Sequence, residues 1–513
     1  MRRAWYSAAL VCLALPGCGD ECRAGGFDYR DGAVLERSEQ LDAFEGECIV
    51  VLGKLSVVGE RIGDLSGLEG ILGIHGALVL RSTALTSTAG LSGLEYVNGN
   101  IVVADAPSLE RVELPSLRSA GWDVRLARLP RLFDLDGFEA LSTIEGSLSL
   151  RELDAMRTMR LPELSSVGGS VYIENNWHLE DLVEPDALFE IGGYLRVRGN
   201  PMLRSVSGFN ALDRVGGTIR IGGNADRWYR YDWEPLEEKP QPHPGTVGGV
   251  RIDNNSKLES VSGFGSLRDL WAPPRDSSQN LAFFSIFTNH SLQTVNAFQG
   301  LSGARSTAPD TVWSYTIFVT VSNNPALQRL PRFAPLAGDD RPIFRSLYLK
   351  ANGSLRTLDD LANWRFESVA LLANDELHSL RGLRLTEASA LSLIDNASLP
   401  DLDGLSMTED AEPATRIRIE GNPSLLDISG LVRAHDGGVQ YREIEVLRNG
   451  SLPQVQAAWV TGTSAPERSK VAGNAGWVAS DPCPFVEDGE CDEDDTFGRA
   501  ICAPNTDEVD CAE

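Results

Sequence analysis

Several features that accompany common catalytic functions are missing from this 513-residue chain. It has six scattered histidines, no His-Glu-x-x-His pair, no Gly-x-Ser-x-Gly turn and no phosphate-binding Gly-rich loop. Basic residues are scarce: 46 Lys plus Arg stand against 73 Asp plus Glu, a formal net charge of −27. Nucleic-acid binding draws most of its affinity from basic side chains on phosphates. We therefore predict no nucleic-acid partner and no catalytic centre.

The N-terminus has no apolar run long enough to cross a bilayer. The run at 4–15 follows Arg2-Arg3 and ends before Pro16-Gly17-Cys18, which is the order of segments in a secretory signal. This pattern predicts a signal peptide at 1–17 and an exported protein. Residues 15–18 also resemble a bacterial lipobox, which implies a lipid on Cys18 and attachment to a membrane, with the outer membrane or cell surface as location. The alternative is cleavage nearby, with Cys18 in a disulfide.

Cysteine is absent between Cys48 and Cys483. Six cysteines remain once Cys12 has left with the signal and Cys18 carries lipid, and they form one group near each end: Cys22, Cys48, Cys483, Cys491, Cys502 and Cys511. An even number without Cys-x-x-Cys spacing favours disulfides over zinc. Cys22 with Cys48 is the local pairing available at the N-terminal end, within a predicted tether and cap at 18–47. The four C-terminal cysteines allow three connectivities.

A repeat organises the middle of the chain. Its unit is Φ-x-Φ-x-x-Asn-x-x-Leu, where Φ is aliphatic or aromatic, as in Val171-Tyr172-Ile173 followed by Asn176 and Leu179. The asparagines recur as Asn176, Asn200, Asn224, Asn255, Asn289, Asn324, Asn352, Asn374, Asn396, Asn422 and Asn449. Earlier copies keep the apolar frame without Asn. The repeat predicts a mainly β solenoid of about fifteen coils at 48–462, with Φ residues buried and Asn bonding the backbone at the bend.

The Leu-x-x-Val-Gly-Gly-x-Φ-x-Φ phrasing and the Asn-x-x-Leu bend resemble the receptor L-domain, a leucine-rich type of solenoid. The resemblance covers about 48–460. It implies a right-handed, leucine-rich L-domain-type β-solenoid, and it implies protein or sugar binding only in some members. One extended solenoid and two fused L-domains both remain open.

Residues between the two Φ positions face outward, and stacking places them in a row. From Val171 onward the row is Tyr172, Arg196, Arg220 and Arg251, with Tyr194 and Arg198 beside it. Like charges on adjacent strands are unfavourable, so the row predicts an anionic or planar partner, such as an acidic glycan or a carboxylate-rich protein face. The alternative is that Glu174 and Asp253 offset the charge.

Three insertions lengthen consecutive coils after Asn224, Asn255 and Asn289. They carry aromatic residues, among them Trp228, Trp233, Trp271 and Trp313. Aromatics on loops suit sugar stacking and protein hot spots, so these tryptophans are candidate ligand contacts. The alternative is that these aromatic residues pack each inserted loop against the solenoid and bind no ligand.

A linker at 463–480 is predicted to lead to an acidic four-cysteine module at 481–513. Carboxylates gathered by two disulfides can hold Ca²⁺, and the spacing is loosely similar to the calcium-binding Notch-type repeat. The candidate ligands are Asp488, Asp492, Asp494, Asp507 and Asp510. The alternative is a solvated acidic cap without metal, and no other cofactor is expected.

These features predict an exported, lipid-anchored surface protein that uses its solenoid for recognition or adhesion, with a protein or glycan ligand. A structural envelope spacer without a ligand is the closest alternative. A carbohydrate-active β-helix enzyme is a further one. Should the chain instead be secreted by a eukaryote, Asn289, Asn352, Asn396 and Asn449 become glycosylation candidates.

Overall fold

The structure is a computed structural model that describes part of the chain. The described residues are 22, 26–224, 249–267, 269–272, 282–300, 303–306, 317–332, 344–362, 364–407, 415–464 and 466–475. Parallel strands in stacked coils form a β-solenoid of about fifteen turns, as the repeat predicted. The chain divides into two compact units, with the change near residue 280. Each unit is described by itself below.

Unit 1 contains a parallel sheet, called sheet A, to which successive coils each contribute one strand. Its strands are Ala33–Leu35, Leu55–Val58, Leu78–Arg81, Ile101–Ala104, Val124–Ala127, Leu148–Arg151, Val171–Glu174, Leu195–Arg198, Ile219–Asn224 and Gly249–Asn255. Along each strand, buried Φ residues alternate with residues that face outward, which is the two-residue period of a strand.

Two further sheets close the coils of unit 1. Sheet B consists of Asp28–Arg30, Ile49–Val51, Ile71–Ile74, Tyr96–Val97, Ser119–Ala120, Thr143–Ile144, Ser166–Val167, Glu190–Ile191, Arg214–Val215 and Asp269–Ala272. Sheet C contains Asp181–Leu182, Ser205–Val206 and Ser260–Gly263. Short 3-10 turns lie at Ser38–Phe44, Ser66–Leu68, Ala89–Leu91 and Asp136–Phe138. Strands Thr294–Ala297 and Gly303–Ser306 contain residues of both units.

Unit 2 is also built from stacked coils with a parallel sheet, and most strands of that sheet are longer than those of unit 1. Its parallel sheet, called sheet D, consists of Ala282–Phe287, Ile317–Ser322, Phe344–Lys350, Phe366–Leu372, Arg384–Ile394, Ser406–Met407, Thr415–Glu420, Tyr441–Leu447 and Arg468–Ala472. A 3-10 turn lies at Asp359–Leu361, and helices α1 (Gly430–Asp436) and α2 (Gln454–Thr463) form the back of the last coils. Among the described residues, no helix combines the length and apolar character needed to cross a membrane.

The solenoid extends past both of its predicted ends. Asp28–Arg30 and Ala33–Leu35 pair with the next coil, so a first coil lies within the segment predicted as tether and cap. At the other end, Arg468–Ala472 pairs with Tyr441–Leu447 inside the segment predicted as a linker. This strand is hard to recognise because only Val471 and Ala472 of its five residues are buried. The predicted disulfide between Cys22 and Cys48 is confirmed, with Cα atoms 5.6 Å apart.

The repeated asparagines form a buried hydrogen-bond ladder in each unit. In unit 1, the backbone N–H of Asn176 donates to Oδ1 of Asn200 (2.9 Å), and the backbone N–H of Asn200 donates to Oδ1 of Asn224 (2.7 Å). Each Nδ2 reaches back to a strand carbonyl of the preceding coil, as from Asn200 to Ile173 (3.0 Å). The ladder of unit 2 runs from Asn289 to Asn474 through Asn324, Asn352, Asn374, Asn396, Asn422 and Asn449. The predicted role of these asparagines is confirmed.

The ladder also removes the glycosylation alternative at its asparagines. Asn289, Asn352, Asn396 and Asn449 are all 0% exposed, and the Nδ2 of each donates inside the ladder. A glycan on Nδ2 would replace a donor hydrogen and would have no room in a close-packed interior. These positions are therefore structural.

The residue before each ladder position adopts a left-handed backbone. This holds for Asn175 (φ 58°), Asn254 (φ 55°), Ala373 (φ 51°) and Arg448 (φ 55°), and Gly199 occupies the same place in its coil (φ 67°). The left-handed residue turns the chain inward so that the following Asn enters the core. Where coils lack Asn, backbone atoms take over part of its role: the N–H of Leu129 donates to the carbonyl of Glu152 (3.1 Å).

Candidate functional site

The outward row of sheet A brings several arginines of unit 1 onto adjacent strands. Strand register places Ser56, Val79, Val102, Arg125, Ser149, Tyr172, Arg196, Arg220 and Arg251 side by side on successive strands. We call these nine residues the outward row. The predicted alignment of Tyr172, Arg196, Arg220 and Arg251 is thereby confirmed.

Two acidic residues, Glu174 and Asp253, each lie two positions after the row residue of their own strand and contact arginines of the row. Nε of Arg196 lies 3.5 Å from Glu174, whose carboxylate also pairs with Arg151 at 3.2 Å. Asp253 pairs with Arg220 at 3.2 Å and with Arg251 at 3.0 Å. The alternative prediction was that Glu174 and Asp253 offset the arginine charge. Its contacts are confirmed, because both carboxylates pair with arginines of the row. Each carboxylate serves two guanidinium groups, so the arginines remain in excess.

Asp253 is the most constrained acid of this surface. Its side chain is 1% exposed. Burial would raise the pKa of Asp253, but hydrogen bonds from Arg220 and Asn254, the charge of Arg220 and a hydrogen bond from Arg251 outweigh burial and lower it. Gly222 lies opposite Asp253, and a Cβ there would collide with the carboxylate. The local sequence thus combines a glycine with a buried acid to hold two adjacent arginines.

Replacing Asp253 with asparagine is expected to destabilise unit 1 by about 2 kcal/mol at pH 7, because hydrogen bonds to a charged group lose their ionic part. Because the pKa of Asp253 is lowered in the folded protein, its carboxylate stabilises the fold at pH values above the ordinary Asp pKa of about 3.9. That contribution is lost as pH falls through the folded-state pKa. Urea titrations from pH 7 to pH 2 should therefore show Asp253→Asn and the parent converging in acid. Equal free energies of unfolding for Asp253→Asn and the parent at pH 7 would contradict this prediction. So would an equally large loss of stability in the control Asp31→Asn, which alters an exposed residue.

The other sequence-predicted contacts are dispersed. Tyr194 is half-buried in the turn before Leu195–Arg198 and packs against the next coil, where a Cβ on Gly217 would lie 2.7 Å from its ring. Trp271 lies in a strand of sheet B and not on a loop. Trp228, Trp233 and Trp313 lie outside the described residues, as do Cys18, the four C-terminal cysteines and the five candidate calcium ligands. Within the described residues, no three His, Cys, Asp or Glu side chains gather as a metal site.

Three residues of this surface were missed because the row was followed only from Val171 onward. Arg125 and Ser149 occupy the same outward position two and one coils earlier than Tyr172, and Arg151 lies two residues after Ser149. The apolar frames Val124-x-Leu126 and Leu148-x-Leu150 carry the signal that places them. The absence of Asn from those coils did not change their strand register.

Sheet D of unit 2 offers a contrast. Its corresponding row is Ser285, Thr320, Tyr348, Ala370, Ser392, Arg418, Glu445 and Lys470. Charges alternate there: Arg418 lies 3.5 Å from Glu445, its neighbour in the row. Opposite charges on adjacent strands stabilise a sheet, whereas like charges destabilise it. Arg196, Arg220 and Arg251 therefore form the less self-compensated surface.

Comparison of the chain with family models, curated proteins and solved structures finds no match.

Proposed function

We propose that this chain is an exported surface protein that recognises or adheres to an anionic ligand, a glycan or a protein, through the outward row of unit 1. The observation that carries the proposal is the register of Arg196, Arg220 and Arg251 on three adjacent strands of a protein whose net charge is −27. Three like charges in a row cost free energy in the unbound protein, and an anionic ligand relieves that cost.

The arginines are accessible and held in place. Their side chains are 32–39% exposed, and each also contacts a carboxylate. Fixed guanidinium groups lose little conformational freedom on binding, and their planar forks match carboxylate and sulfate oxygens. The row thus has the preorganisation that a recognition surface needs.

Export and anchoring complete the proposal. The Cys22–Cys48 disulfide supports an oxidising compartment, since such bonds persist outside the cytosol. We place a lipid on Cys18, close before this disulfide, and a cell-envelope location, in keeping with the receptor L-domain resemblance. Mass spectrometry of the mature N-terminus tests the anchor: a diacylglycerol-modified Cys18 is expected, and an unmodified N-terminus downstream of it would exclude lipidation.

We further propose that the protein is not an enzyme. A stacked-coil hydrolase needs carboxylates that face a substrate. The ion-paired carboxylates on the strands of sheets A and D instead contact arginines: Glu174, Asp253, Glu420, Glu443 and Glu445. Their oxygens are thus engaged by guanidinium groups of the protein itself.

A structural spacer is the second candidate, and the asparagine ladders favour it. They satisfy backbone polar groups at the bends of both units from within the protein, without a ligand. A spacer would keep its outward row solvated and would bind nothing through it.

A glycan and protein array separates the two candidates. The parent should give anionic hits, and Arg196→Ser/Arg220→Ser/Arg251→Ser should weaken them about 100-fold, since three contacts of roughly 1 kcal/mol each are lost. The matched control is Arg111→Ser/Arg157→Ser/Arg214→Ser, which removes the same charge from exposed positions off sheet A. An array without hits would favour the spacer, and equal losses in both variants would exclude the row.

A further inference from the structure

A cavity of about 400 Å³ opens to solvent on unit 2, and we call it the unit 2 cavity. Three successive coils contribute its described lining: the first supplies Asp359 and Ala362, the second residues 381–384, and the third residues 404 and 406. Sites for small molecules usually measure about 300–1,000 Å³. The unit 2 cavity is therefore large enough for a ligand of the size of a monosaccharide.

Two glycines hold the walls of the unit 2 cavity close together. Gly382 (φ 95°) and Gly404 (φ 86°) both adopt a left-handed backbone. A Cβ on Gly382 would lie 2.4 Å from the carbonyl oxygen of Leu358, and one on Gly404 would lie 2.7 Å from Cα of Arg381. Glycine is therefore required at both turns, and backbone packing between coils fixes the shape of the cavity.

A guanidinium group and a hydroxyl group lie side by side at one edge of the cavity. Arg384 and Ser406 are the first residues of two adjacent strands of sheet D, and the strand register pairs them directly. Neighbouring strands are about 4.8 Å apart, and paired residues point to the same side of the sheet. Both residues are exposed, so a ligand can reach their side chains.

The charges that line the cavity do not balance. Nε of Arg381 lies 3.4 Å from the carboxylate of Asp359, and both side chains are accessible. Asp359 is the one acid among the described lining residues, whereas the lining also contains Arg384. One positive charge is therefore in excess at the cavity.

Two further acids belong to the same turns but are held by other arginines. Asp360 pairs with Arg332, and Asp403 pairs with Arg433. Within the described part of the chain, no carboxylate pairs with Arg384. An anion in the cavity would thus meet a guanidinium charge that the protein has not already compensated.

We propose that the unit 2 cavity binds a sugar acid, a small molecule with one carboxylate and several hydroxyl groups. Arg384 donates to the ligand carboxylate through its planar fork, and the hydroxyl of Ser406 donates to it from the adjacent strand. The carboxylate of Asp359 accepts from a ligand hydroxyl. The site makes no use of the outward row of unit 1, so the inference goes beyond the proposed recognition function.

The lining favours a sugar acid over two simpler ligands. An inorganic anion would gain from Arg384 but would be repelled by Asp359 at the same cavity. An amino acid would place its ammonium group at Asp359, whose charge Arg381 already compensates. Hydroxyl groups, by contrast, can donate to an ion-paired carboxylate because its oxygens have several acceptor positions.

Saturation-transfer NMR on the full chain tests the site with D-glucuronate, neutral D-glucose and L-alanine. We expect saturable binding of glucuronate, and binding of glucose and alanine at least tenfold weaker. Arg384→Ala should weaken glucuronate binding about tenfold because a charge-assisted hydrogen bond is lost. Arg384→Lys keeps the charge but loses the planar fork, so its loss should be intermediate. Ala362→Phe should block binding because the ring fills the cavity.

The strand Arg468–Ala472 of the same sheet supplies matched controls. It begins with an exposed arginine followed by an exposed serine, and neither residue lines the cavity. Arg468→Ala and Ser469→Ala should therefore bind glucuronate as the parent does. Circular dichroism should show the parent spectrum for every variant. If Ala362→Phe fails this check, the two substitutions at the exposed Arg384 still decide the result.

Three results overturn the inference. The first is the absence of saturable glucuronate binding, and the second is binding to Arg384→Ala as tight as to the parent. The third is an equal loss in Arg384→Ala and Arg468→Ala, which would indicate general attraction. Arg196→Ser/Arg220→Ser/Arg251→Ser keeps the two proposals apart. If this variant loses glucuronate binding while Arg384→Ala retains it, the outward row binds the sugar acid and only the unit 2 site fails.

Discussion

Asn374→Leu is expected to destabilise unit 2 by about 4 kcal/mol. Oδ1 of Asn374 accepts from the backbone N–H of Asn352 (3.3 Å), and its Nδ2 donates to the carbonyl of Leu349 (3.1 Å). Leucine fills the volume but leaves the buried N–H of Asn352 without its acceptor and removes the amide donor from the carbonyl of Leu349. An unsatisfied buried group costs about 1–3 kcal/mol. Urea unfolding and hydrogen exchange should show the loss, with exchange fastest at Asn352.

The same substitution at a solvent-exposed asparagine is the control. Asn98→Leu should leave stability within about 0.5 kcal/mol of the parent because Asn98 is exposed. A loss at Asn374 no larger than that at Asn98 would contradict the structural role of the ladder. Asn374→Asp should also destabilise, because it keeps the acceptor but buries a charge and removes the donor.

Removing the disulfide is the second change with a large expected effect. Cys22→Ser/Cys48→Ser opens a loop whose ends are separated by 26 residues in the sequence. Loop-closure entropy for that length predicts a loss of about 3.5 kcal/mol. Because Cys48 directly precedes the buried strand Ile49–Val51, the loss should fall on the first coils. Hydrogen exchange should rise in Asp28–Arg30 and Ile49–Val51.

A dithiothreitol titration of the parent serves as the matched experiment. Reduction should reproduce the exchange pattern of the double variant, and it should leave the exchange of Leu195–Arg198, several coils away, unchanged. Full protection of the first coils after reduction would show that packing alone holds them. Loss of protection in every coil at once would contradict a local effect.

The core of this fold was predictable because one pattern repeats. Alternating Φ residues placed Val171 and Ile173 inside, and both are at most 1% exposed. The Asn-x-x-Leu bend predicted buried asparagines at the turn. The Gly-Gly of the repeated phrase has a structural reason as well, since a Cβ on Gly216 would collide with the carbonyl of Gly192. Each of these statements follows from a constraint that every coil shares.

Features particular to one coil were not predictable in the same way. The first described strand, Asp28–Arg30, has no Φ-x-Φ frame, and among the described residues it pairs with one strand, Ile49–Val51. The last described strand, Arg468–Ala472, is mostly polar and within the same residues also pairs with one strand. The sharing of Asp253 between Arg220 and Arg251 depends on side-chain reach across strands.

The asparagine ladder has a consequence for how such a chain tolerates change. Successive ladder asparagines of unit 2 are separated by as few as 22 residues, from Asn352 to Asn374, and as many as 35, from Asn289 to Asn324, yet the same bond forms in both cases. The number of residues in a coil can therefore vary without changing how the ladder joins it to the next coil. Foreign peptides of about a dozen residues should fit into the turns of this protein without shifting the strands. The solenoid could thus display inserted peptides while its strands and asparagine ladder stay the same.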